Sequence, residues 1–193
     1  MAYRLGEDGT RTILVLEFGG SDAGPFIQMP AALSYPMNMP RYDWGYIAEP
    51  EDSLGGRQLV CPRGKVLGGS SSINGMIYVR GQPRDFDDWA EGGATGWDWR
   101  SVEPYFHQFE NHGASPVPGR LHIQQAKPSL WGERFISACE ALGIARNESY
   151  LEGETAGAGY YHQNVVRGWR QSGKLAFLNV ARRRPNLTVI TDG

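Results

Sequence analysis

Apolar residues run unbroken from Ile13 to Leu16 between Thr12 and Glu17, and the run ends in Phe18-Gly19-Gly20. A segment this short and aliphatic predicts a strand buried on both faces, as in a parallel sheet. Leu187-Thr188-Val189-Ile190-Thr191 predicts a second strand. Between residues 21 and 62 the pattern breaks, and Pro25, Pro30, Pro36, Pro40, Pro50 and Pro62 punctuate the chain. That density forbids long helices and predicts extended, loop-rich wrapping.

Helical spacing returns later. Phe86 and Trp89 fall on one face of Pro83 to Ala90. Val102, Tyr105, Phe106 and Phe109 do so from Trp99 to Glu110, with Asp98 as the cap. Leu130 to Leu142 carries Phe135, Ile136, Cys139 and Leu142, with Gly143 as the stop. A last helix is expected from about Ser172 to Arg183, ahead of Pro185. These stripes are those of core packing. The chain shows no internal repeat or low-complexity tract.

Composition narrows the function. The net charge of −2 is nearly balanced and the longest basic run is Arg182-Arg183-Arg184, which argues against a nucleic-acid partner. Cys61 and Cys139 are far apart and build neither a disulfide scaffold nor a metal site. No segment approaches the roughly 18 apolar residues of a membrane span, and the first residues lack the apolar core of a secretory signal. Glycine is abundant at 26 of 193 residues, yet six Trp, nine Tyr and seven Phe speak for a packed core rather than disorder. The glycines are then turns, or places where a ligand approaches backbone.

Two segments carry candidate chemistry. A strand ending in an acidic residue is a device of dinucleotide-binding folds, in which the carboxylate takes the adenosine ribose hydroxyls, and Glu17 stands at such an end. The G-x-G-x-x-G turn that normally precedes it by about 20 residues is not among the residues upstream of Glu17. In the second segment, Gly68-Gly69 removes side chains ahead of Ser70-Ser71-Ser72, which could cap a helix start and offer N–H groups to an anion; a tight structural turn is the equal alternative. Lys65 precedes the glycine pair, so the segment is not a phosphate loop, whose Lys follows the last glycine.

Gly64-Lys65-Val66-Leu67-Gly68-Gly69-Ser70-Ser71-Ser72-Ile73-Asn74, continued by Tyr78, Gly81 and Asp87, resembles the first signature of the glucose–methanol–choline (GMC) oxidoreductases. Leu14 to Gly20, Tyr42-Asp43-Trp44-Gly45-Tyr46, Tyr78-Val79-Arg80-Gly81, Asp87-Asp88-Trp89 and Arg184-Pro185-Asn186-Leu187-Thr188-Val189 extend the likeness over almost the whole chain. Within that family the choline dehydrogenases look nearest.

The resemblance implies an α/β fold: an incomplete, Rossmann-like FAD-binding domain with the start of a substrate-binding domain. Residues 1–110 and 166–193 would belong to the first and 111–165 to the second. It implies that Glu17 holds the ribose, with Gly19 beside it. Arg63 and Val66 would line the loop over the cofactor. Gly68, Gly69, Ser70 and Ser71 would lie near the pyrophosphate, and Asn74, Gly75, Met76 and Ile77 near the flavin. Some relatives attach flavin covalently through a histidine just before the Asn; Ile73 holds that position, which implies non-covalent FAD.

The implied reaction oxidises a primary alcohol, choline-like, to the aldehyde by hydride transfer to flavin N5. A histidine would take the alcohol proton, and none of His107, His112, His122 or His162 matches its place, so that base is expected in C-terminal sequence beyond this chain. An acceptor other than oxygen is expected from the nearest-looking relatives, its identity open. The location would be cytoplasmic or membrane-associated. The chain is therefore expected to be part of a longer enzyme and inactive alone. A truncated, non-catalytic nucleotide-binding or interaction protein is the alternative.

Overall fold

The computed structural model describes residues 1–112, 119–151 and 155–192. They form two compact units, one of Met1–Met76 with Val165–Gly193 and one of Ile77–Asn164. The units divide at positions 76/77 and 164/165, so residues 77–110, which the resemblance groups with the cofactor domain, pack with the second unit.

In the first unit Ile13–Leu16 pairs in parallel with Leu187–Ile190, Ile13 opposite Leu187 and Leu16 opposite Ile190. A parallel arrangement was expected for the first strand, but burial on both faces is not found. Ile13 and Val15 are half-buried, while Leu14 is 56% and Leu16 71% exposed. Successive side chains point to opposite faces, and within this unit only one face is covered.

The proline-rich stretch contains only helical turns of three or four residues, at Pro25–Gln28, Pro30–Ala32, Pro36–Asn38 and Asp52–Leu54, three of them opened by proline. An antiparallel pair, Tyr46–Ile47 with Val60–Cys61, interrupts it. The core gathers around Ile27, Tyr42, Val66 and Ile73, with Met37 and Met39 against it.

The expected helix from Ser172 to Arg183 is instead a π-helix, Lys174–Leu178, running into a helical turn, Asn179–Ala181. The wider turn brings residues five apart onto one side, and Ala176 and Ala181 are both buried. Sequence patterning missed the hairpin before it, in which Val165–Val166 pairs with Trp169–Arg170. Its two turn residues, Arg167 and Gly168, have φ of 52° and 81°, as a two-residue hairpin turn that follows the strand twist requires.

In the second unit Ile77–Tyr78, His162–Gln163 and Gln124–Gln125 make a three-stranded antiparallel sheet with His162–Gln163 in the middle. The helix Pro83–Glu91 starts with a capping box between Gln82 and Asp85. Trp99–Phe109 is capped by Asp98, whose carboxylate accepts from the Ser101 N–H at 3.1 Å. The helix Leu130–Ala141 forms as expected and Gly143 follows it at φ 82°. Of its predicted core stripe, however, only Ile136 is buried; Phe135 is 67% and Leu142 81% exposed.

The polar centre of this unit is Glu110, fully buried, which accepts from the Tyr78 hydroxyl at 2.5 Å and from Arg80 Nε at 2.9 Å, and is also bonded by Arg80 Nη2. Arg80 Nη1 donates to the Leu151 carbonyl at 3.0 Å. Burial, together with the hydrogen bond and charge of Glu110, pushes the Tyr78 hydroxyl well above its ordinary value. Burial alone would lower the Arg80 guanidinium, but the hydrogen bond and charge of Glu110 more than offset it and leave it raised.

Candidate functional site

Because Ile13–Leu16 and Leu187–Ile190 are parallel, their carboxyl ends emerge together, and ligands of parallel sheets bind beyond such ends. A crevice of about 390 Å³ opens there, lined among others by Phe18, Gly19, Gly20, Arg41, Lys65 and Asp192. None of the four histidines lines it. Arg41 and Lys65 bring positive charge, with the Lys65 ammonium 5.6 Å above the Trp44 ring. Sequence reasoning gave Lys65 no ligand role and passed over Arg41 and Asp192, because four short segments distant in sequence meet to build this wall.

Glu17 ends the first strand half-buried, and its Oε1 accepts from the Gly19 N–H at 2.9 Å. That bond folds the chain back and aims the carboxylate at the strand end. Gly19 has no room for a side chain: a Cβ would lie 2.0 Å from the Lys65 carbonyl oxygen. The Leu67 N–H donates to the Gly20 carbonyl at 3.0 Å, so the loop after the strand and residues 65–67 run backbone against backbone.

The glycine–serine segment continues from this contact. Gly68 and Gly69 have φ of 94° and 56°, and Gly69–Ser72 is a single 3₁₀ turn. The expected helix start is thus corrected, since one turn without a following helix carries little dipole. The serines do not cap it either. Ser70 Oγ accepts from the Gly64 N–H at 3.1 Å, Ser71 Oγ donates to the Gly68 carbonyl at 2.6 Å, and Ser72 Oγ donates to the Leu67 carbonyl at 2.8 Å. Their hydroxyls tie the loop to itself.

The other predicted residues fall as follows. The Arg63 N–H donates to Asp43 at 2.7 Å, which pins that loop. Val66 is fully buried in the core, so any ligand contact there runs through main chain. Asn74 Oδ1 accepts from the Met76 N–H at 3.1 Å, holding Met76 at φ 62°. A Cβ added at Gly69 or Gly75 would meet nothing within 4 Å, so backbone is open to a ligand at both. Ile77 belongs to the second unit.

A buried guanidinium that sequence reasoning did not single out lies behind the loop. Arg170 Nη1 donates to the Asn74 carbonyl at 2.7 Å, to Asn74 Oδ1 at 2.9 Å and to the Ser71 carbonyl at 3.3 Å, while Nε donates to the Ile27 carbonyl at 2.9 Å. Burial pulls it down to about 10.

This arrangement fits a dinucleotide: a strand-terminal carboxylate, a crevice at parallel strand ends, and backbone bare of side chains. A family model described as GMC oxidoreductase matches residues 8–193. The chain is 49% identical to an oxygen-dependent choline dehydrogenase of Sinorhizobium medicae and 48% to one of Brucella anthropi, in each case over 98% of this chain and 36% of the relative. It thus spans about a third of the length of the curated relatives it matches. Among solved structures, pyridoxine 4-oxidase from Mesorbium loti superposes with a TM-score of 0.91 at 34% identity, covering 99% of this chain and 39% of that one. An FAD-dependent oxidoreductase from Chaetomium thermophilum gives 0.88 at 26% identity, covering 98% and 35%.

Proposed function

Because the chain belongs to the GMC oxidoreductase family, we propose that it holds FAD non-covalently and contributes the cofactor site to the oxidation of a primary alcohol, choline or a close analogue, to the aldehyde. The observation that carries this reading is the crevice at the carboxyl ends of the parallel strands, lined by the loop Phe18-Gly19-Gly20 that follows Glu17 and by Arg41 and Lys65. Glu17 would take the ribose hydroxyls. Arg41 and Lys65 would face the negative diphosphate. The backbone of Gly68 to Ser71 would run along it, and Asn74, Gly75 and Met76 would meet the flavin.

When bound, FAD supplies the hydride acceptor. The chain's own part is to bind, orient and exclude water. The base for the alcohol proton, like most of the substrate pocket, would come from the part of the relatives' length that this chain does not span. Ile73 is buried in the core and has no nucleophile to offer the flavin.

Titration of the apo protein with FAD, followed by flavin fluorescence and then acid precipitation, tests the reading. One equivalent of FAD should bind, and all of it should appear in the acid supernatant. A folded protein that ignores millimolar FAD would refute cofactor binding, and flavin remaining in the pellet would refute the non-covalent link.

A further inference from the structure

Among the described residues Arg170 is the fully buried one with the largest side chain, at 0% exposure. It has no carboxylate partner: its bonds go to the carbonyls of Ile27, Ser71 and Asn74 and to the Asn74 amide oxygen. Its Nη2 is buried with no hydrogen-bond partner among the described residues. An unpaired buried guanidinium is costly, and such groups persist where they do something a neutral residue cannot.

What Arg170 touches indicates what that is. Ser71 lies within the glycine–serine loop and Asn74 just after it, and the Asn74 oxygen bonded by Arg170 is also the acceptor for the Met76 N–H. Met76 has φ 62°, a conformation a non-glycine residue adopts only when its surroundings hold it. Nearby, the Gly173 N–H donates to Ser71 Oγ at 2.9 Å, so the segment carrying Arg170 grips the loop at a second point. The planar fork reaches Ile27 on one side and the loop on the other, which a lysine ammonium cannot do with one nitrogen.

We propose that Arg170 is the positioning residue of the cofactor loop: it fixes Ser71 to Met76 in the binding conformation before the ligand arrives, and its unbalanced positive charge favours a diphosphate-bearing, anionic ligand at that loop. The inference rests on the FAD reading for the ligand but not for the loop.

The test compares the wild-type protein with Arg170→Lys and Arg170→Met. Each is checked for a cooperative melt, then followed by amide hydrogen exchange across residues 70–76 without ligand and by FAD titration with visible circular dichroism. Both variants should exchange in this segment at least about tenfold faster, bind FAD at least about tenfold more weakly, and give an altered flavin dichroism at saturation, since each lost charge-assisted bond alone is worth about that factor. Lysine should not rescue. A folded Arg170→Lys protein with wild-type loop protection and FAD affinity overturns the proposal. If the methionine variant does not fold, the lysine variant decides. Failure of the wild-type protein to bind FAD would remove the FAD reading while the exchange data still judge the loop.

Discussion

The contact between Gly19 and Lys65 allows fold and ligand binding to be perturbed separately. In Gly19→Ala the new methyl would sit 2.0 Å from the Lys65 carbonyl oxygen, 2.3 Å from its carbon and 2.6 Å from the Val66 nitrogen, where ordinary contact starts at 3.4 Å. All three neighbours are backbone, and Val66 is wholly buried beside Ile27, Tyr42 and Ile73. The strand-end loop cannot retreat without moving the core. Overpacking of this kind costs about 1–3 kcal/mol and occasionally more, and with no flexible side chain to give way the upper end is expected. For a unit of this size that lowers the melting temperature on the order of 10 °C. Gly75→Ala is the control: its methyl meets nothing within 4 Å, so stability should hold or rise by about 0.4–1 kcal/mol through the stiffer unfolded chain. If the Gly75 backbone faces the flavin, the same methyl should weaken FAD binding roughly tenfold. Thermal melts and FAD titrations of both variants measure this. A wild-type melt for Gly19→Ala would refute the close approach, and wild-type affinity for Gly75→Ala would remove Gly75 from the cofactor site.

In the second unit, Glu110→Ala strands the buried Arg80 charge and should cost about 3–5 kcal/mol in urea unfolding, while the Arg80→Met/Glu110→Leu pair recovers most of it; a loss below about 1 kcal/mol for the single variant would contradict the pairing. The Arg146 hydrogen bond, at 2.7 Å, holds the half-buried Glu133 carboxyl below its ordinary value of 4.5. A lowered carboxyl contributes stability that is complete above the ordinary value and fades as pH falls through the folded one, so Arg146→Ala should move the Glu133 NMR titration upward and soften that acid-side loss. An unmoved titration would show the pair to be absent in solution. With FAD, choline and a dye acceptor, this chain by itself should show no turnover while still binding FAD; measurable aldehyde would mean that a base lies within these residues.

Local signals were the legible ones. The cap at Asp98, the aliphatic run before Glu17, and the proline spacing across residues 21–62 each act within a few residues, and each produced the element it predicts. Burial was harder to read, because it depends on what covers a face. Leu14, Leu16, Phe135 and Leu142 have the pattern of core residues and are exposed in this chain. The π-helix at Lys174–Leu178 escaped because buried alanines five apart leave no hydrophobic period in the sequence.

The candidate site divides the same way. Its glycines were visible as a composition, but their work was not, since it depends on partners far off in the chain. Gly19 admits Lys65 across 46 positions, Gly68 turns the chain with a left-handed φ, and Gly75 leaves space. The serines after Gly68-Gly69 have the composition of a helix cap, yet their hydroxyls close onto carbonyls and an N–H of the loop itself, which leaves main chain rather than side chains to meet a ligand. A loop so built is only as well defined as whatever anchors it, and that anchor, Arg170, stands about a hundred positions away in a hairpin that no periodicity marks. Sequence reading therefore finds the surface that would touch the cofactor, and misses the buried charge that gives the surface its shape.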